Sequence, residues 1–234
     1  LPGDEFVFRA RAMRAKGVSH AFLGALEHAL TDLGTAKGLA LKGENKFLAA
    51  EICSQIGMVR KHQGALSQAH DAYQQILDFY ERPDLAPPAC LGYIGLAEIA
   101  LERNDLETAG NHLNSGIELC QKGEIGYALQ PAYLIGGLLK CIQGDVQSAK
   151  DTLRLGEDLS RRGGGSLESI LGLARFQSRV HHLLGEFETA EAWATGKLLP
   201  PGWNFDDLPI VLHEIHQSLL AQVILRNGEF EKVL

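Results

Sequence analysis

Several of the patterns that announce a chemistry are missing from this chain. None of its four cysteines, Cys53, Cys90, Cys120 and Cys141, forms a Cys-x-x-Cys pair, which removes the spacing of small zinc modules and dithiol redox centres. Three of them fall in helical patterns, where a free thiol behaves as a small buried hydrophobe. Aromatics make up only 7% of the residues, and no run of 18 apolar residues occurs, so no segment reads as a membrane span. The most apolar stretch, Leu129 to Leu139, is interrupted by Gln130, Pro131 and two glycines and reads as a buried helix. No charged start with an apolar stretch and small-residue cleavage site is present, so the expected compartment is the cytoplasm. Positive charge is also scarce: the net charge is −7, against the basic stripe that nucleic-acid binders carry, and no direct nucleic-acid contact is expected.

Catalytic and cofactor motifs are absent in the same way. No Gly-x-x-x-x-Gly-Lys-Ser/Thr loop is found, and Gly163-Gly164-Gly165 runs into Ser166-Leu167 with no lysine to meet a phosphate, so it reads as a linker. His213-Glu214-Ile215-His216 has histidines three apart, whereas a zinc-protease helix needs them four apart on one face. No third ligand is identifiable, and a solvated or capping role competes with a metal site. Adjacent His181 and His182 point in different directions on a helix. Without a nucleophile motif or a carboxylate pair, the reading is that the segment is not an enzyme and holds no cofactor or metal.

What is present is a period. Gly64, Asn104, Gly144, Gly185 and Gly228 sit at intervals of 40, 40, 41 and 43 residues between helix-like segments. Two residues after each comes Leu66, Leu106, Val146, Phe187 or Phe230, and five after comes Ala69, Ala109, Ala149 or Ala190, with Val233 the exception. Seven before comes a small residue: Gly57, Ala97, Gly137, Ser178 or Ala221. Small side chains flanking a turn let two antiparallel helices approach closely. A unit of two helices cannot bury its own apolar face, so such units stack.

The expected fold is therefore all-α, a right-handed superhelix of antiparallel helix pairs forming one helical-repeat domain. Its units run approximately over residues 4–42, 44–82, 87–123, 126–163, 166–201 and 206–234. The first is expected to pair a helix from Asp4 to Lys16 with one from Ser19 to Leu33 across Gly17, with Gly38 and Gly43-Glu44-Asn45 marking a loop. Asp105 and Asp145 are expected to cap the second helices of successive units. The last unit stops soon after its second helix begins and the first residue is Leu, so the chain reads as a piece of a larger protein.

The register of small residue, turn and alanine resembles that of tetratricopeptide repeats, lengthened from 34 to about 40 residues. The run Gly95-Leu96-Ala97-Glu98-Ile99-Ala100-Leu101-Glu102-Arg103-Asn104-Asp105-Leu106-Glu107-Thr108-Ala109 resembles the repeat region of MalT-like, LuxR-class transcription regulators. So do Gly43 to Ala49, Gly116 to Leu119, Gly144-Asp145-Val146 and Leu219 to Leu225. The resemblance implies a sensor module that takes a small inducer or a regulatory protein. ATP and DNA would be bound by upstream and downstream domains, and self-association would accompany activation. A stand-alone peptide- or protein-binding scaffold is the alternative.

In the tetratricopeptide register the recognition surface is lined by the first helix of each pair. That places Glu51, Ser54, Lys61 and His62 in the second unit on it, Glu98 and Glu102 in the third, and Leu134, Leu138 and Ile142 in the fourth. Arg175, Arg179 and His182 follow in the fifth, and Ser218, Gln222 and Arg226 in the sixth. The pairs Glu98/Glu102 and Arg175/Arg179 are like charges at i, i+4, which repel unless a partner offsets them. The selected candidates are Glu98, Glu102, Arg175, Arg179, His182, Gln222 and Arg226, with a groove expected to be acidic, then apolar, then basic. Each of these charges is also what the solvated face of an amphipathic helix carries.

Overall fold

The computed structural model describes residues 2–162 and 167–198. Among them are ten α-helices and two short 3₁₀ turns, and no strand. The helices are α1 (Pro2–Phe22), α2 (Leu26–Lys42), α3 (Lys46–His62), α4 (Leu66–Asp78), α5 (Cys90–Glu102), α6 (Leu106–Lys122), α7 (Gly126–Ile142), α8 (Val146–Arg162), α9 (Leu167–Leu183) and α10 (Phe187–Ala194). The 3₁₀ turns, Pro83–Leu85 and Pro87–Ala89, separate α4 from α5. The fold is an all-α array of tetratricopeptide-like helix pairs. Two compact units divide the chain, Leu1–Ala128 and Leu129–Leu234.

The turns are built alike. At each one a residue takes positive φ, namely Gly24, Gly64, Asn104, Gly144 and Gly185. The next amide donates back five residues: Ala25 to His20, Ala65 to Arg60, Asp105 to Ala100, Asp145 to Lys140 and Glu186 to His181. This left-handed closure satisfies the last carbonyls of the first helix while reversing the chain. Two junctions between pairs repeat it, with Asn45 donating to Ala40 and Ile125 to Cys120. There the positive φ falls on Glu44 and Glu124. Second helices thus begin at Leu26, Leu66, Leu106, Val146 and Phe187, a spacing of 40 or 41 residues throughout.

The first pair differs from the expectation. Gly17 lies inside α1, the turn is at Gly24, and Gly38 lies inside α2. Gly17 is the small residue seven before the turn, and a Cβ there would meet the Leu33 Cγ at 2.8 Å. Gly57 meets Tyr73 at 2.6 Å and Gly137 meets Leu153 at 2.5 Å in the same way. The pairs cross where a small residue of the first helix receives a large one from the second. In the fifth pair Ser178 stands at the crossing and donates its hydroxyl to the Ala190 carbonyl at 2.9 Å, which suits the small Ala194 that follows. Asp105 and Asp145 cap α6 and α8 as expected, accepting from the Thr108 and Ser148 amides at 3.1 and 3.2 Å. Asn45 caps α3 on the Leu48 amide at 2.9 Å.

In the unit Leu1–Ala128 the core joins successive pairs. Leu33, Ala36 and Ala40 of α2 pack with Leu48, Ala49, Ile52 and Val59 of α3 and Ala10 of α1. Each large aliphatic side chain fully buried there contributes about 1.5–3 kcal/mol. The first helices also touch one another, α1 with α3 and α3 with α5, whereas α2 with α4 and α4 with α6 make few or no contacts. The unit therefore curves with its first helices on the inner side and its second helices splayed on the outer. In the unit Leu129–Leu234, Gln130 is buried and donates to the Ser160 hydroxyl at 3.1 Å and the Ser169 carbonyl at 2.9 Å. That satisfied polar contact ties α7 to α8 and α9, as a buried amide requires.

Candidate functional site

On the inner side of the unit Leu1–Ala128, side chains from three first helices converge. Arg14 of α1 extends its guanidinium to α3, donating to the Glu51 carboxylate at 3.0 Å and the Gln55 carbonyl oxygen at 3.1 Å. From the first turn of α7 the Tyr127 hydroxyl donates to the other Glu51 oxygen at 3.0 Å. Tyr127 is nonetheless 59% exposed as a residue, so only part of its ring is covered. Burial and the Glu51 carboxylate beside it push the Tyr127 phenol well above its ordinary value, so it remains a donor at neutral pH. The result is a partly exposed patch of cation, carboxylate, amide and phenol held in fixed orientation.

Further along the same side, Lys61 of α3 and Glu98 of α5 form an ion pair at 2.5 Å, with side chains only 11% and 10% exposed. Glu98 is thus a buried, neutralised partner, and the acidic end expected of the groove is absent there. Glu102 is exposed at the end of α5. The expected apolar middle is also absent at two of its three positions. Leu134 and Leu138 are fully buried, and Leu134 fills the space left by Gly156 of α8. Only Ile142 is exposed, at 39%.

In the other unit Arg175 and Arg179 are half-buried on α9. The Arg175 guanidinium lies 4.7 Å from the Phe176 ring centroid, a cation–π distance. His182 tilts against Phe187 at 5.2 Å. Next to them Glu186 accepts from Lys150 at 2.8 Å and lies 2.5 Å from His181 Nδ1. Those two partners hold the Glu186 carboxyl below its usual range. Gln222, Arg226, His213 and His216 lie outside the described residues.

Of the inner patch, Glu51 and Lys61 are positions the tetratricopeptide register selects, while Arg14, Gln55 and Tyr127 are not selected by it as applied from Gly64 onward. A signal for Arg14 exists: counted from the turn at Gly24, it falls ten residues before, the offset of Ser54 and Arg175 from theirs. Nothing local marks Tyr127, whose partner is 76 residues away.

Among the described residues no group of three or more His, Cys, Asp or Glu is placed to hold a metal, and no helix is long and apolar enough to cross a membrane. All four cysteines are buried free thiols. Burial pushes the Cys53 thiol up to about 11, which keeps it protonated and unreactive at neutral pH.

Comparison with known proteins adds the following. A biotin synthase from Azoarcus sp. (strain BH72) is 31% identical over 126 residues, 54% of this chain and 36% of that protein, so the chain spans about a third of the length of the curated relative it matches. A crystal structure of a tetratricopeptide repeat protein from Parabacteroides merdae superposes with a TM-score of 0.42 at 17% identity, over 96% of this chain and 76% of that one. The family described as the MalT-like TPR region matches residues 1–234, the whole chain. With its helix pairs and their common turn in place, the chain belongs to the MalT-like tetratricopeptide repeat region family.

Proposed function

We propose that this chain is the effector-sensing and protein-interaction module of a bacterial MalT-like, LuxR-class transcription regulator. In this reading it receives a small inducer or a regulatory protein on the inner side of its first helices, and ATP and DNA are handled by other domains of the parent protein. The observation that carries the reading is the convergence of Arg14, Glu51, Gln55 and Tyr127 from α1, α3 and α7. Stacked pairs bring distant residues onto one curved surface, and this patch offers donors and acceptors already oriented. Binding there would span three repeats and so couple ligand occupancy to their stacking. Family membership over residues 1–234 supports the regulator context.

The test has two parts. The parent reading frame is expected to encode a phosphate loop upstream and a helix-turn-helix downstream, and the lack of both would defeat the regulator reading. A thermal-shift screen of the protein against sugars, amino acids, aromatic metabolites and short peptides, together with partner capture, tests sensing. A ligand of the native state raises the midpoint, and Arg14→Ala and Tyr127→Phe are expected to abolish that rise without unfolding the protein. Silence in both screens would sink the sensing role.

A further inference from the structure

The third helix pair carries two thiols that neither the inner patch nor the turns use. Two close approaches fix the register of the antiparallel helices α5 and α6. A Cβ on Gly116 would meet Ile94 Cγ1 at 2.9 Å, and one on Gly123 would meet the Cβ of Pro87. Cys90 lies one helical turn before Ile94, and Cys120 lies one turn after Gly116. Residues four apart share a helix face, so the stretch between the two approaches sets Cys90 opposite Cys120. Both are fully buried, and their thiols share a hydrogen bond. Cys53 and Cys141 lie on other helices, α3 and α7.

Facing thiols are what a disulfide requires, because the bond joins only side chains whose Cβ atoms are neighbours. Access decides whether it forms. The hydrogen bond with Cys120, then burial, push the Cys90 thiol up, with the Leu91 amide opposing. It is therefore slow to ionise while α5 stays closed. Cys90 is, however, the first residue of α5, and that end of the helix has no side-chain cap. The segment before it consists of two 3₁₀ turns and is exposed at Arg82, Asp84 and Leu85. Helix ends fray, and a local opening at this one uncovers Cys90 without global unfolding.

We propose that Cys90 and Cys120 form an oxidation site, at which hydrogen peroxide converts the two thiols into a disulfide joining the start of α5 to the end of α6. The Cys90 thiolate, formed when the helix end opens, attacks one peroxide oxygen and breaks the O–O bond. The products are a sulfenic acid on Cys90 and a hydroxide, which takes up the proton that Cys90 lost. Cys120 then attacks the sulfenic sulfur, and the hydroxyl leaves as water with the Cys120 proton. Two thiols and one peroxide thus give one disulfide and two waters. The bond closes the third pair at the end opposite its turn at Asn104, and in a reducing compartment the pair stays as thiols. This site is independent of the inner patch and of the regulator reading.

The test is peptide mapping of the intact protein after incubation with hydrogen peroxide under native conditions. The sample is unfolded in iodoacetamide and digested without reductant. The expected result is a peptide cross-linked through Cys90 and Cys120, two hydrogens lighter than its separate halves and lost on treatment with dithiothreitol. Cys53 and Cys141 are expected to be recovered alkylated. In Cys120→Ala the cross-link is lost and Cys90 instead accumulates as the sulfenic acid, which dimedone traps. The wild-type map carries the result even where that variant does not fold. Recovery of both Cys90 and Cys120 as alkylated thiols, or a cross-link that runs through Cys53 or Cys141 instead, would overturn the proposal.

Discussion

The ion pair of Lys61 and Glu98 is the residue on which the inner side of the first unit depends most. Both side chains are nearly buried, so each has given up most of its hydration for the other. Removing one partner takes this counter-charge from a nearly buried group, which costs about 3–5 kcal/mol, whereas replacing both with apolar groups of similar volume is close to neutral. Lys61→Met is therefore expected to lower the urea midpoint sharply, and Lys61→Met with Glu98→Leu to recover most of the loss. If the double variant is as unstable as the single one, the pair has a role beyond mutual neutralisation. The i, i+4 spacing of Glu98 and Glu102 is visible in sequence, but the lysine that offsets it is 37 residues away and can only be found once the helices are stacked.

Acid stability is also set by single residues. Asp105 is held below the usual carboxylate range by its hydrogen bonds with Thr108, and Asp145 likewise by Ser148. Glu186 is held low by Lys150 and then His181. For a carboxyl whose folded value is depressed, the stabilisation is present above the unfolded value, about 4, and is lost as pH falls through the lower folded one. The thermal midpoint should fall on acidification below about pH 4. Asp105→Asn with Asp145→Asn should flatten that fall while keeping both caps, since asparagine caps as well as aspartate. An unchanged acid slope would show that these carboxylates do not set it.

At the scale of the element, one turn design accounts for most of the architecture. Asn45→Ala removes the acceptor for the Leu48 amide and is expected to cost about 1 kcal/mol. Glu44 and Glu124 carry left-handed backbone at the junctions between pairs. Glycine accepts that conformation without the Cβ penalty of about 1 kcal/mol. Glu124→Gly is thus expected to raise stability by up to that amount in a denaturant titration, and a loss would contradict this reading of the turn. Such turns are why the helices from Lys46 onward were legible in the sequence: each has a glycine or asparagine, an apolar residue two later and an alanine five later. The first pair obeys the same grammar through Gly17, Gly24, Leu26, Ala29 and Leu33. Its two glycines compete as candidate breaks, and Gly17 is a crossing contact that sequence pattern alone does not separate from a turn.

For the whole molecule, the first helices and the second helices have different tasks. The first helices gather polar side chains of α1, α3 and the start of α7 into an oriented patch, while the second helices α4 and α6 make few or no contacts with each other. The periodicity dictates that such faces exist, because each pair needs a neighbour to bury its apolar side. It does not dictate which groove positions stay polar. Leu134 holds the same register as the half-buried Ser54 yet is fully buried, since Gly156 opposite it leaves room for its side chain. The difference between a groove position and a core position is set by the partner helix.

The most direct test of the sensing account is hydrogen–deuterium exchange on the parent protein with and without the effector that the thermal-shift screen identifies. The account predicts added protection in α1, α3 and the start of α7, around Arg14, Glu51 and Tyr127, and its loss in Arg14→Ala. Protection confined to α2, α4 and α6, or an effector response that survives Arg14→Ala and Tyr127→Phe unchanged, would contradict it.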